Sequence, residues 1–352
     1  MIPKKLVRCN LEVWSVMVNF RMWKTALSTI PQVSPEEWER LDVISRYLVM
    51  TRSAVATVTI FSSIVAGLLA WRSGEFSLGI WLIVTLGLFL AHGANNILND
   101  YVDYVRGVDT DNYFRTMYGP HPLVHGFHDT RTQLRYFAVS GVLALIAGLY
   151  TLYYTDFDHW VLVLIAIGAF FLLLYTFPLK HMALGEFSIF LIWGPVMIGG
   201  VYYVLTRQFD WNVILTSIPV GLSVMSINLG KHIDKSEDDR SRRVTTLPVL
   251  IGERVARTLN FLVLVGTYGV ILYLIFGAHF FSPVMLIVFL AGKQLFQALV
   301  VLWKPKPESP PEGFTAWPVW FSAFLFVHNR RFIALFMAGL VLDTALRVFL
   351  PR

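Results

Sequence analysis

The chain is built from long apolar runs separated by polar connectors that alternate between long and very short. Nine runs are long enough to cross a bilayer, which takes about 20 residues each. They lie near Leu48–Trp71, Leu78–Leu98, Leu134–Thr155, Trp160–Phe177, Leu184–Leu205, Val213–Leu229, Thr258–Phe276, Pro283–Trp303 and Phe332–Leu350. The short connectors include Arg72–Ser77, Asp156–His159 and Gly277–Ser282. KPKPESPPEG, from Lys304 to Gly313, is too proline-rich for a regular helix and reads as a linker. The aromatic stretch AWPVWFSAFLFVHNRR then reads as an interfacial segment ahead of the last span. Residues 1–47 mix Lys, Arg, Glu and Trp without a clean apolar core, so they contain no secretory signal. They form an expected cytoplasmic or interfacial extension that packs on the membrane surface, and residues 48–352 form the membrane domain.

Composition agrees with this division. Of 352 residues, 56% are hydrophobic and 15% charged, against about 25% charged in a soluble domain. Mean hydropathy is +0.60. The aromatic content of 15%, with eleven Trp, suits interfacial anchoring. A net charge of +6 in a soluble protein would point to nucleic acid. Here the positive-inside bias and anionic lipid headgroups explain it, so lipid and not nucleic acid is the expected surround. The single cysteine, Cys9, excludes an internal disulfide and a Cys-based metal cage. With the N-terminus inside, twenty-three of the 29 Lys and Arg fall on cytoplasmic segments and four on the other side. Nine crossings then leave the C-terminus outside. A multi-pass protein of a bacterial inner membrane is expected.

Two acidic clusters break the apolar pattern. NNILNDYVDYVRGVDTD carries Asn96, Asn99, Asp100, Asp103, Asp109 and Asp111, and GKHIDKSEDDRSRR carries Asp234, Asp238 and Asp239. A carboxylate costs roughly 2.5–3.5 kcal/mol at a membrane-helix centre, so acids beside hydrocarbon imply a task. Both clusters fall on the cytoplasmic side, as a shared site requires. Asn99 and Asp103 are four residues apart, as are Asn96 and Asp100, so a helix end aligns each pair on one face. Gly107 breaks that helix ahead of Asp109. Asp234 and Asp238 have the same spacing, with Asp239 adjacent. Hard oxygen donors suit Mg²⁺, which keeps waters and takes one or two carboxylates plus substrate phosphate oxygens.

Lys180, Lys231, Lys235, Arg240, Arg242 and Arg243 surround the acids. They are placed to neutralise a leaving diphosphate, the charge that develops when an allylic carbon–oxygen bond ionises. The remaining carbocation needs a dry chamber, and aromatic runs such as FFLLLYTF supply ring faces for it. Blander readings apply as well. RSRR serves as a positive-inside determinant, and Lys180 in YTFPLKHM reads on its own as a topology marker. His92 reads as a packed histidine bonded to a neighbouring helix. His121, His125 and His128, in YGPHPLVHGFHD, read as part of a polar loop. Gly194-Pro195 and Gly199-Gly200 suit a helix kink and close packing.

At these residues the chain resembles the UbiA-type intramembrane prenyltransferases, from about Thr51 to Leu350. Asn99, Asp103 and Asp109, with Asp100 beside them, match the first family signature. NDYVDYVRGVDTD is similar to its form in the naphthoate, menaquinone-pathway branch. Asp234 and either Asp238 or Asp239, ahead of TTLPVLIG, match the second signature. In YTFPLKHMALGEFSIFLIWGPVMIGGVYYV, Tyr175, Lys180, Gly185 and Glu186 fall on positions the family uses near the diphosphate and pocket. The first span opens on TRSAVAT, without the Arg-Pro-Trp-like form of the menaquinone branch, although Arg52 matches its Arg.

The resemblance implies an all-α bundle of about nine transmembrane helices around a central cavity, and Mg²⁺-dependent transfer of a polyprenyl group from its diphosphate to an aromatic acceptor. It implies metal–diphosphate roles for Asn99, Asp103, Asp109, Asp234, Asp238 and Asp239, with Asp100 and Asn96 in support. Lys180, Arg52, Arg242 and Lys231 would meet the diphosphate, and Tyr175 would stabilise the allylic cation or orient the acceptor. Dihydroxynaphthoate is the first acceptor implied; 4-hydroxybenzoate, homogentisate, a chlorin and a glycerol phosphate stay open. The competing class is an ion-coupled carrier, since intramembrane acids often mark ion pathways.

Overall fold

Helix starts follow capping chemistry carried by single residues. The computed structural model describes residues 18–109 and 119–349, so residues 1–17 of the expected extension and Asp111 lie outside the described residues. Asn19 accepts from the Met22 N–H to open α1 (Phe20–Ser28), and Ser34 with Glu37 forms a reciprocal capping box on α2 (Pro35–Glu39). Asp42 accepts from the Ser45 N–H at the start of α3 (Val43–Met50). Each cap satisfies an N–H that the first helical turn leaves without an intrahelical partner. The predicted span Leu48–Trp71 is divided: Arg52 adopts φ 52°, ψ 50° between α3 and α4 (Ser53–Arg72). That left-handed conformation ends one helix and re-aims the next. The expected boundary at residue 47 falls inside α3.

The other apolar runs form α5 (Leu78–Val105), α6 (Thr130–Tyr154), α7 (His159–Leu174), α8 (Gly185–Thr206), α9 (Trp211–Asp234), α12 (Glu253–Gly277), α13 (Pro283–Trp303) and α14 (Phe321–Phe349). Two short helices, α10 (Ser236–Ser241) and α11 (Leu247–Ile251), lie between α9 and α12. Among the described residues, eight helices are long and apolar enough to span a membrane. The ninth, α7, has 16 residues and reaches about 24 Å. Among the described residues the chain forms no strand, so the all-helical expectation of about nine helices holds.

The last span is longer than predicted. The interfacial reading of AWPVWFSAFLFVHNRR is corrected, because α14 already begins at Phe321. Two of its polar residues turn inward: His328 is buried against the Tyr268 hydroxyl, and the buried Asn329 lines a cavity, at whose edge Arg330 stays exposed.

Helix α9 sits at the centre, packed against α8, α12 and α14, while α5 pairs with α6 and α14 with α13 and α4. Val65, Leu69, Ile198, Val220, Ile271, Phe332 and Phe336 form the main core between them. The α8–α9 crossing depends on glycine. A Cβ on Gly221 would stand 2.6 Å from the Phe190 carbonyl oxygen, and one on Gly194 3.0 Å from that of Ser217. Gly194, ahead of Pro195, also departs from helical geometry at φ −101°, ψ −107°, which is the kink the sequence suggested. The N-terminal helices join the bundle: Trp38, Leu41, Leu48 and Met50 cluster with Ile97 of α5.

Candidate active site

Helices α4 to α9 and α14 enclose a chamber of about 1200 Å³. Its length is apolar and its charged groups collect where α5 and α9 end. The last turns of α5 present Asn96, Asn99 and Asp103 to the chamber, with Asp109 following in the loop. Across from them stand Arg52, Tyr175, Lys180, Lys231 and Lys235.

The side chains are held by specific partners. Asp103 Oδ2 accepts from Lys180 Nζ at 2.6 Å, and Asp100 Oδ1 from Arg52 Nη1 at 2.6 Å. Asn96 donates to the Thr51 carbonyl at 2.7 Å and Asn99 to the Thr176 hydroxyl at 3.1 Å. Lys180 lies on a single 3-10 turn, Leu179–Met182, between α7 and α8. Burial opposes its charge, but Asp103 foremost, with Asp109 and Asp239, holds the ammonium above its ordinary pKa. That set of partners gives Lys180 more than the role of a topology marker.

Asp109 Oδ2 meets His121 Nε2 at 3.2 Å, and both residues are buried. Burial pushes the Asp109 carboxyl up; the His121 hydrogen bond and the Lys180 charge outweigh it and hold the group below its usual range. Asp100, Asp109 and His121 each place a ligand atom within 4.8 Å of the others, an arrangement able to hold a metal ion. The polar-loop reading of His121 therefore needs correction. The two residues are 12 positions apart, a spacing that carries no ligand signature.

The second cluster differs from the sequence expectation. Helix α9 ends at Asp234 and α10 starts at Ser236, with Lys235 at φ −112°, ψ 14° between them. That break removes the shared face of Asp234 and Asp238. Asp238 is exposed. Asp239 is buried, bonded to Lys235 Nζ at 2.7 Å and to the Thr246 hydroxyl at 3.2 Å. The Asp234 carboxylate accepts from the Phe321 and Ser322 N–H groups at 2.9 and 3.0 Å and from the Ser322 hydroxyl at 2.7 Å. It caps α14 and does not line the chamber. Arg242 Nη1 donates to the Gly107 carbonyl at 3.1 Å, tying the two acidic loops together. Convergence of the clusters thus runs through Lys235, Asp239 and Arg242. His92 is packed as expected, its Nδ1 2.7 Å from the Thr59 hydroxyl.

Comparison with known proteins agrees with this architecture. Residues 60–330 match the UbiA prenyltransferase family. The UbiA prenyltransferase domain-containing protein 1 homolog of Drosophila melanogaster is 25% identical over 67% of this chain and 66% of its own length. The chain thus spans just under two thirds of that relative. The 1,4-dihydroxy-2-naphthoate octaprenyltransferase of Bacillus subtilis (strain 168) is 26% identical over 75% of this chain and 80% of its own. A UbiA homolog from Archaeoglobus fulgidus, solved bound to GPP and Mg²⁺, superposes with a TM-score of 0.54. It covers 84% of this chain and 99% of that one at 14% identity, a likeness of fold.

Proposed function

The chain belongs to the UbiA prenyltransferase family, and from that premise we propose that this integral, multi-pass membrane enzyme transfers a prenyl group from its diphosphate to an aromatic acceptor. A 1,4-dihydroxy-2-naphthoate ring is the first acceptor, supported by the form of NDYVDYVRGVDTD and by the Bacillus relative. The observation that carries the reading is an apolar chamber closed at one end by buried carboxylates facing buried lysines. A prenyl tail fits the apolar length and a diphosphate the charged end.

The donor set suits a divalent metal. Asp100, Asp109 and His121 are grouped, and Asp103 Oδ1 is buried without a hydrogen-bond partner among the described residues. Carboxylate oxygens of this kind fit Mg²⁺, which takes few protein ligands and shares substrate phosphate oxygens. When bound, the ion neutralises charge on the leaving diphosphate. The chain's own residues do the rest. Lys180 and Lys231 offer ammonium groups to the departing oxygens, fixed before the bond breaks. Asn96 and Asn99, anchored to Thr51 and Thr176, set the chamber's polar edge. Tyr175 presents a ring to the allylic cation, and the apolar walls exclude water that would quench it. The Lys and Arg distribution supports a cytoplasmic N-terminus and site.

The carrier alternative has no support, since the acids gather at one end of the chamber in ion pairs with Lys180 and Arg52. Full-length protein with Mg²⁺, a panel of prenyl diphosphates and hydroxylated naphthoate or benzoate acceptors tests the proposal by mass spectrometry. The expected result is a prenylated ring and one diphosphate released per product. Diphosphate retained and no prenylated ring with every pair would overturn it.

A further inference from the structure

Glu186 and His232 form a buried pair in the chamber wall that the foregoing chemistry leaves unused. Glu186 is the second residue of α8, and His232 lies in the last turn of α9. The close crossing of these helices brings His232 Nδ1 within 2.5 Å of Glu186 Oε1, and each side chain is 1% exposed. His232 lines the chamber beside Lys231 and one turn before Lys235. Its Nε2 has no hydrogen-bond partner among the described residues.

A carboxylate on Nδ1 selects the tautomer that carries its proton there, leaving the Nε2 lone pair available. Prenylation of a ring carbon needs such a lone pair. The prenyl carbon–oxygen bond breaks with its electrons leaving on diphosphate. A ring carbon that carries hydrogen then donates a pair to the prenyl carbon, and that proton must depart to restore aromaticity; attack from a carboxylate-bearing carbon would expel CO₂ instead and need no base. The neighbouring carboxylates are poor takers: Asp103 is paired with Lys180, and Asp100 with Arg52. His92, also in the wall, meets the Thr59 hydroxyl and the Trp193 ring, and among the described residues no carboxylate bonds to it to stabilise its cation.

We propose that His232 Nε2 accepts the proton lost from the aromatic acceptor and that Glu186 is a positioning residue, holding the imidazole tautomer and stabilising the imidazolium. The inference rests on the aromatic-acceptor reading above. Its test uses full-length protein, an acceptor deuterated at the reacting carbon, and a non-ionisable prenyl thiodiphosphate to measure binding. H232Q is expected to lose about 10²–10⁴-fold in turnover, the usual worth of a general base. Binding of the thiodiphosphate should stay within about threefold, because the diphosphate contacts remain. A primary isotope effect should appear in H232Q and be absent from the wild type, since deprotonation becomes limiting only when its base is gone. A purely structural role would not produce it.

If H232Q also loses binding, E186Q decides, because it keeps the shape of the pair: an isotope effect supports the proposal and its absence overturns it. H232Q turnover within about threefold of wild type, with no isotope effect, overturns the proposal alone. A wild type that prenylates no aromatic ring overturns the acceptor reading and this inference together.

Discussion

Asp234→Ala is expected to weaken the fold and spare the metal site. Three donors at the start of α14, the Phe321 N–H, the Ser322 N–H and the Ser322 hydroxyl, converge on this carboxylate at 2.7–3.0 Å. Loss of an N-cap costs about 0.5–2 kcal/mol. An ionised acceptor roughly doubles a bond's strength, and each donor orphaned in a buried site costs about 1–3 kcal/mol. Because one residue serves all three donors these costs overlap, and about 3–5 kcal/mol is expected in total. At about 2 °C per kcal/mol for a large chain, the unfolding midpoint should fall by roughly 6–10 °C. Tryptophan emission during heating of the detergent-solubilised protein reads the midpoint, and Mg²⁺ titration with a prenyl thiodiphosphate reads the site in parallel. An unchanged midpoint with a lost Mg²⁺ response would refute the capping assignment and make Asp234 a ligand.

Three further outcomes follow from the geometry. Lys180→Met leaves the buried Asp103 carboxylate without its 2.6 Å partner; removing one member of such a pair costs about 3–5 kcal/mol, measurable as a lower midpoint together with weaker diphosphate binding. Asp42 is raised by burial, but hydrogen bonds from Ser45, Asn19 and Trp23 bring it from 3.8 to about 2. A folded pKa below the unfolded one stabilises above the unfolded value, so a contribution of about 2 kcal/mol is present above pH 3.8 and lost as pH falls through 2; Asp42→Ala should therefore speed tryptic cleavage at Arg21 and Lys24 at neutral pH. Gly221→Val drives side-chain atoms into the Phe190 carbonyl, 2.6 Å from the Cβ position, and overpacking of about 1–3 kcal/mol should show in the thermal midpoint.

The membrane helices were legible because hydrocarbon demands long apolar runs, and all nine runs are helical. Their ends were less so. The polar triplet Thr51-Arg52-Ser53 is short enough to sit within one apolar run from Leu48 to Trp71, and nothing in it specifies the left-handed break at Arg52 between α3 and α4. Phe321 to Arg331 looked too polar for a span because His328 and Asn329, which read as surface residues, are buried by tertiary packing, while Arg330 and Arg331 stay exposed at the helix face. The first acidic cluster was legible since Asn96 to Asp103 lie on one helix, where four-residue spacing has geometric meaning. In the second cluster the same rule failed at Lys235, where the helix breaks and the true i,i+4 pair becomes Lys235 with Asp239. His121 and the Glu186–His232 pair join residues from separate elements, and no local spacing encodes such contacts.

The most direct measurement of the charged chamber end is equilibrium binding of a prenyl thiodiphosphate with and without Mg²⁺, in wild type and in the double variant Asp103→Asn, Asp109→Asn. The expected result is Mg²⁺-dependent binding in the wild type that weakens by about tenfold or more, roughly 1.4 kcal/mol, and loses its metal dependence in the double variant. Equal, metal-dependent binding by both proteins would contradict the assignment of this end of the chamber to the diphosphate.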